Sequence, residues 1–186
     1  MHVLGVEAEE HFETIFRQVY AELMRFAVRR VGSSQAADLV SETFLVAWRR
    51  LDDLPGTTGE ARAWLFGIAR RIALATYRSE VRAQALAVRL AQPGRESTAS
   101  SHEDGVVAAV DLSRAWNRLS AAQQEVLALT ALEGLNATEA GAVLSISATA
   151  FRLRLMRARR ALAAQLHLTQ VHALPVTTRL SFGEAD

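Results

Sequence analysis

The sequence predicts an all-α protein: two small helical domains joined by a flexible linker, the C-terminal one a helix-turn-helix. Three observations carry this. Of 186 residues, 34 are Ala, all 21 cationic side chains are Arg and only three residues are Pro, a composition rich in strong helix formers. Apolar residues recur at helical spacing in several separate runs, and no strand-like alternation is convincing. Residues 92–104 (QPGRESTASSHED), with Pro, Gly and four Ser or Thr, have the make-up of a linker. Thirteen extended residues span at most about 45 Å. The expected division is 9–91, a linker at 92–104, 105–166, and a loose tail at 167–186.

In the first half, Phe12, Phe16, Val19, Leu23 and Phe26 define one amphipathic helix, broken by Gly32, Ser33 and Ser34. A second helix turns Val40, Phe44, Ala47 and Leu51 inward, with Trp48 beside them. Its opposite face carries Asp38, Glu42, Leu45 and Arg49. An acidic face with Leu at its middle suits a protein partner with basic residues. Asp52 to Gly59 is a turn holding Pro55 and two Gly. Thr57 and Glu60 then have capping-box spacing for a third helix, which is expected to bury Trp64, Leu65, Ile68 and Ile72 and run towards Leu90.

In the second half, Val106, Val110 and Trp116 open a helix, and Ser120 with Gln123 forms a capping box for the next, which runs to about Glu133 before Gly134. Asn136 and Glu139 start a short helix to Leu144. Ser145-Ile146-Ser147 is a tight turn, and the last helix runs from Ala148 to about Leu166. Two short helices joined this way, the second rich in Arg, describe a helix-turn-helix. On the last helix Phe151, Leu155, Ala158 and Leu162 share the inward face. Thr149, Leu153, Met156 and Arg160 face outward, flanked by Arg152 and Arg157, with Ser147 as N-cap. Arg can pair with phosphates, Arg or Thr near the helix start can reach base edges, and Leu153 and Met156 suit thymine methyl groups.

Charge is segregated although the net is only +1. Residues 1–60 sum to −4, 61–95 to +6, 96–145 to −5 and 146–178 to +5. A basic segment at the end of each half predicts two separate polyanion contacts. No apolar run reaches the roughly 18 residues of a membrane span. Glu7, Glu9, Glu10 and Glu13 do not suit a cationic signal peptide, and there is no Cys, so a cytoplasmic protein is expected. Catalysis finds no support: the five His lie mostly in tails or the linker, and no phosphate-cradling Gly loop or HExxH occurs. His167 and His172 read as a solvent-exposed coincidence. No cofactor, metal or small-molecule substrate is expected.

As a set these residues resemble the sigma-70 family of RNA polymerase sigma factors. Ala36 to Asp53 (AADLVSETFLVAWRRLDD) is similar to its polymerase-binding helix, and Arg62 to Arg78 (RAWLFGIARRIALATYR) to the helix that reads and helps melt the downstream promoter element. Leu119 to Leu162 resembles the upstream-element reader. Two such domains on a short linker are the layout of the extracytoplasmic-function group. The resemblance covers about residues 10–165. It places Asp38, Leu39, Glu42, Phe44 and Trp48 in the clamp-binding motif, Phe44 and Trp48 as packing. It places Arg62, Trp64, Arg70, Arg71, Tyr77 and Arg78 around the downstream-element reader, and Ser147, Thr149, Arg152, Arg154 and Arg157 on the recognition helix. It implies core RNA polymerase, promoter DNA and an anti-sigma factor, often membrane-anchored, as partners. Arg71 stands where the family commonly has Asn, Ala75 where Asp is common, Gly141 where Ala is usual and Ser145 where Gly is usual; Ala150 and Leu153 replace the usual Thr and Ser. The alternative reading is a helix-turn-helix regulator that acts without polymerase; it leaves the first three helices and their acidic face unexplained.

Overall fold

The computed structural model describes residues 3–90 and 106–173. Among them are seven α-helices and no strand: α1 (Val3–Val31), α2 (Ser33–Arg49), α3 (Thr58–Leu90), α4 (Val106–Asn117), α5 (Ala121–Ala131), α6 (Ala137–Leu144) and α7 (Ala148–Ala173), with a 3₁₀ turn at Leu51–Asp53. The expected linker at 92–104 and the tail beyond Ala173 lie outside the described residues.

Most of these helices begin where side chains can satisfy their first amides. Thr57 receives the Glu60 N–H at 3.4 Å and donates its hydroxyl to the Glu60 carboxylate at 2.7 Å, opening α3. Ser120 and Gln123 cap α5 reciprocally, at 3.3 and 2.9 Å. Residue Gly32, at φ 80°, separates α1 from α2. The fifth helix stops at Ala131, two residues short of expectation. Gly134 at φ 64° then turns the chain, so that the Leu135 N–H reaches the Leu129 carbonyl at 3.0 Å. The last helix runs seven residues past Leu166, so the tail expected from residue 167 is helical up to Ala173.

The chain forms two compact units that cut across sequence order. One joins α1, α2 and α3 with Leu129–Phe151, the segment holding α6. Its core is built from Ile15, Val19, Leu23 and Phe26 of α1, Leu39, Val40 and Phe44 of α2, and Leu65, Phe66 and Ile68 of α3. Phe26 and Phe66 meet edge to face at 5.4 Å. Leu129, Leu135, Ala140, Val143 and Phe151 are buried in the same unit.

Two expectations about the core are corrected. Phe16, expected inward, is exposed and Ile15 is buried, while Val19, Leu23 and Phe26 are buried as expected; the departure is confined to the first part of the stripe. On α3, Trp64 and Ile72 are half-buried, and Phe66 and Ala69 fill the interior instead. The second unit contains α4, the start of α5 and α7 from Arg152. Its cluster is Leu119, Leu127 and Ala158, with Trp116, Leu155, Ala161 and Leu162 packed against it. The Gln124 side-chain amide donates to the Trp116 carbonyl at 2.8 Å there.

Candidate protein and nucleic-acid interfaces

On α2, Asp38, Glu42, Leu45 and Arg49 recur at offsets of 0, 4, 7 and 11 and all are exposed, forming one continuous stripe. Leu45 keeps 47% of its surface open at the middle of it. Leu39, expected with them in the motif, is a correction: it is 4% exposed and packs inward. Its carbonyl accepts the hydroxyl of the buried Thr43 at 2.8 Å. A buried Leu supports the stripe by holding the helix down and offers no surface to a partner.

Trp48 is exposed, where the resemblance implies packing. It contacts Phe12 at 5.2 Å between ring centroids, and Phe16 lies 4.5 Å from Phe44 and 5.3 Å from Tyr20. The sequence pattern does not disclose this half-open aromatic seam between α1 and α2, because it places the aromatic positions of α1 in the interior.

The third helix divides its candidates. Arg71, Tyr77 and Arg78 are exposed and Arg70 is half-buried. Trp64 is half-buried, with the Arg50 guanidinium 5.7 Å from its ring centroid. Arg62 is the second correction, because its guanidinium is fully engaged inside the unit. Nε donates to Glu22 at 2.5 Å, one terminal nitrogen to Glu139 at 3.2 Å and the other to the Glu133 carbonyl at 2.6 Å. The same group lies 5.4 Å from the Phe66 centroid. Its side chain is 16% exposed, so it is not offered to a phosphate. Beside it, Arg29 pairs with the buried Glu133 carboxylate.

The helix-turn-helix is held locally by two caps and a tight turn. Asn136 accepts the Thr138 and Glu139 amides at 2.9 and 3.0 Å, and its own amide donates to Glu139 at 2.8 Å, a complete capping box. Helix α6 ends in a Schellman turn. The Ile146 N–H reaches the Gly141 carbonyl at 2.9 Å, the Ser145 N–H reaches Ala142 at 3.1 Å, and Ser145 is left-handed at φ 55°, ψ 43°. A Cβ on Gly141 would lie 2.8 Å from the Ile146 carbonyl oxygen, so this turn is tight enough to need a glycine. Ser147 then caps α7, its hydroxyl oxygen accepting the Ala150 N–H at 3.1 Å.

Ser147, Thr149, Arg152, Leu153, Arg154, Met156, Arg157 and Arg160 are all exposed, while Phe151 and Ala158 are buried. From Ala140 to the end of α7 the sequence contains no acid. A helix start with free amides, flanked by Arg and bearing apolar tips, fits a phosphate-lined groove.

Two family models match the chain, Sigma-70 region 2 over residues 15–83 and Sigma-70 region 4 over residues 109–162. The chain belongs to the extracytoplasmic-function sigma factors. Among relatives, the ECF RNA polymerase sigma factor SigL of Mycobacterium tuberculosis is 33% identical over 168 residues, covering 86% of this chain and 92% of that protein. SigC of the same species is 31% identical over 154 residues, covering 82% and 81%. The fold of this sigma factor is similar to that of RpoE from Bartonella quintana, solved with the anti-sigma factor NepR. The TM-score is 0.59 at 25% identity, over 84% of this chain and 97% of that one. It is also similar to CnrH, solved with the cytosolic domain of CnrY (TM-score 0.56, 28% identity, 89% and 96% covered). The region 2 match contains α2 and most of α3, and the region 4 match contains the helix-turn-helix. As a sigma factor the chain acts in transcription initiation with core RNA polymerase and promoter DNA.

Proposed function

We propose that residues 9–91 of this sigma factor dock on core polymerase and hold the downstream promoter element, and that residues 105–166 read the upstream element. Polymerase docking falls to the α2 stripe of Asp38, Glu42, Leu45 and Arg49. The exposed Arg71 and Arg78 of α3 take phosphates of the separated strand, with Tyr77 and Trp64 available to stack on its bases. Thr149 and Arg152 at the start of α7 approach base edges, Leu153 and Met156 contact thymine methyls, and Arg154, Arg157 and Arg160 pair with phosphates. The bond-making chemistry of initiation is that of polymerase.

The observation that carries this reading is the α2 stripe. An exposed acidic face with an open Leu has no use in a lone DNA-binding regulator, and a duplex would repel it. RpoE and CnrH were each solved with a protein partner, an anti-sigma factor and the cytosolic domain of CnrY. This supports an anti-sigma factor covering one or both regions here, and a cytoplasmic location for the sigma factor, held at the membrane only through that partner. Among the described residues no helix is long and apolar enough to cross a membrane.

The test is co-elution of the purified chain with bacterial core polymerase, beside an Asp38→Arg, Glu42→Arg variant. The parent should co-elute and the variant should not. Binding by both would move the interface off α2, and binding by neither, with no anti-sigma factor present, would favour the polymerase-independent regulator.

A further inference from the structure

Arg50 ends α2, and its side chain folds back across the turn that leads to α3. Its Nε and one terminal nitrogen donate to the same Asp53 carboxylate oxygen, at 2.9 and 2.8 Å. From there the guanidinium carbon lies over the Trp64 ring, 5.7 Å from its centroid. The turn is itself braced. The Arg50 N–H reaches the carbonyls of Ala47 and Trp48, and His11 of α1 places Nε2 3.0 Å from the Pro55 carbonyl oxygen. The ring hangs on α3, and what lies over it belongs to this fixed turn.

Two readings of Arg50 differ in kind. It borders a second cleft with Arg71, so as one more cation of the basic surface it would take a phosphate of the separated strand. Its partners argue for the other reading. A guanidinium paired with a carboxylate has its charge largely answered, and a planar fork gripped by Asp53 has its orientation set. Trp64 is half-buried and shares one wall of a cleft with Thr57, Glu60 and Arg71, a wall in which Arg50 takes no part. The ring has the guanidinium on one side and a cleft on the other. A base that stacks on a Trp must first hold the ring still. A cation laid on one face does this beforehand and leaves the other face for the base.

We propose that Arg50 is a positioning residue for promoter opening: braced by Asp53, it holds the Trp64 ring so that a base of the separated strand stacks on the uncovered face. The inference rests on the reading of Trp64 as a stacking platform. Asp53 belongs to the same device, an acid that helps the chain hold a polyanion.

The experiment uses holoenzyme on a duplex promoter that the parent holoenzyme selects from a random-sequence library. Permanganate reactivity of unpaired thymines reads the ratio of open to closed complex. Arg50→Ala should lower that ratio about threefold, and Arg50→Lys, which keeps the charge without the planar fork, should recover less than half of the loss. Trp64→Ala should lower it about tenfold, and in that background Arg50→Ala should change nothing more. A loss that persists without Trp64 would make Arg50 a direct contact to DNA and overturn the proposal. Asp53→Ala supplies the sign. Positioning predicts a fall of about twofold, because the brace is gone. A phosphate contact predicts a rise, because Arg50 is released and an acid is removed; a rise overturns the proposal.

The ring is tested in the free chain. With Trp48→Phe and Trp116→Phe, Trp64 is the single tryptophan left of three. Arg50→Ala should then raise acrylamide quenching of its fluorescence about twofold, with the circular dichroism spectrum unchanged. Equal quenching with and without Arg50 overturns the grip on the ring. Normal opening by Trp64→Ala would instead sink the stacking reading of Trp64 and leave the quenching result standing.

Discussion

Replacing Gly141 by Ala sets two known effects against each other. Within a helix, Gly to Ala gains about 1 kcal/mol from backbone entropy and propensity. Against it stands the geometry of the Schellman turn. The new methyl would lie 2.8 Å from the Ile146 carbonyl oxygen, 3.3 Å from the Ala148 nitrogen and 3.4 Å from the Ser147 carbonyl carbon. All three are backbone atoms, so no flexible side chain can yield. Overpacking of this kind costs about 1–3 kcal/mol, and the balance is a net loss of about 1 kcal/mol. For a chain of this length that is a fall in Tm of about 2–4 °C. Ser145→Gly should act in the opposite sense. Relief of the left-handed strain is worth about 1–2 kcal/mol, offset by about 0.5–1 kcal/mol of glycine entropy.

Both positions are among those that the sequence resemblance marks as departures, implying Ala at the first and Gly at the second. The same turn links them: the Ile146 N–H bonds to the Gly141 carbonyl, and the left-handed Ser145 sets where the Ile146 carbonyl points. Gly at 145 widens the turn's range and lets that oxygen move off the methyl introduced by Gly141→Ala. The double variant should therefore be at least about 0.5 kcal/mol more stable than the sum of the singles. Thermal and urea unfolding followed by far-ultraviolet circular dichroism measures all four corners of the cycle. A Gly141→Ala chain as stable as the parent would refute the clash. Additivity within about 0.3 kcal/mol would refute the coupling.

Three further outcomes follow from particular contacts. Leu39→Ala, at a buried site, should cost about 2–4 kcal/mol of stability; lost polymerase binding with an unshifted urea midpoint would put Leu39 back on the surface. Asn136→Ala removes the acceptor of two amides and should cost about 1 kcal/mol, with Asn136→Ser recovering most of it in the same unfolding assay. Arg157→Ala should weaken holoenzyme binding to duplex promoters of any sequence and lower the salt slope by about one. A change in sequence preference, measured on a set of single-base promoter variants, would assign Arg157 to base reading instead.

The parts of this molecule that were legible in its sequence are those determined by residues a few positions apart. The capping boxes at Ser120 and Asn136, the Ser147 cap and the outward face of α7 all depend on spacings of three or four, and each is in place. The α2 stripe was legible for the same reason, since a 17-residue helix fixes which side chains share a face. The errors lie where two helical phases compete. Residues 12, 16 and 20 of α1 carry aromatics, and residues 15, 19, 23 and 26 carry the aliphatic and aromatic set that is buried. Either stripe is amphipathic by itself, and only contact with α2 and α3 decides between them.

Arg62 shows what a correct phase would have disclosed. Centring the buried stripe of α3 on Trp64, Leu65, Ile68 and Ile72 leaves all three arginines at its flanks, Arg62 and Arg78 roughly 100° and Arg71 roughly 75° from the centre. Centred on the residues that are buried, Ala61, Leu65, Phe66, Ile68, Ala69 and Ala73, the three separate. At 100° per residue Arg62 then falls within roughly 40° of the centre, and Arg71 and Arg78 fall roughly 140–160° away. A cation on a buried stripe has to find its partners inside the fold. Its partners here are 40, 71 and 77 residues distant, which no local pattern can name. The phase alone would have separated the arginine that closes this structure from the two left free to meet a nucleic acid. A count of positive charges treats all three alike, because it records their sign and not the direction in which the helix points them.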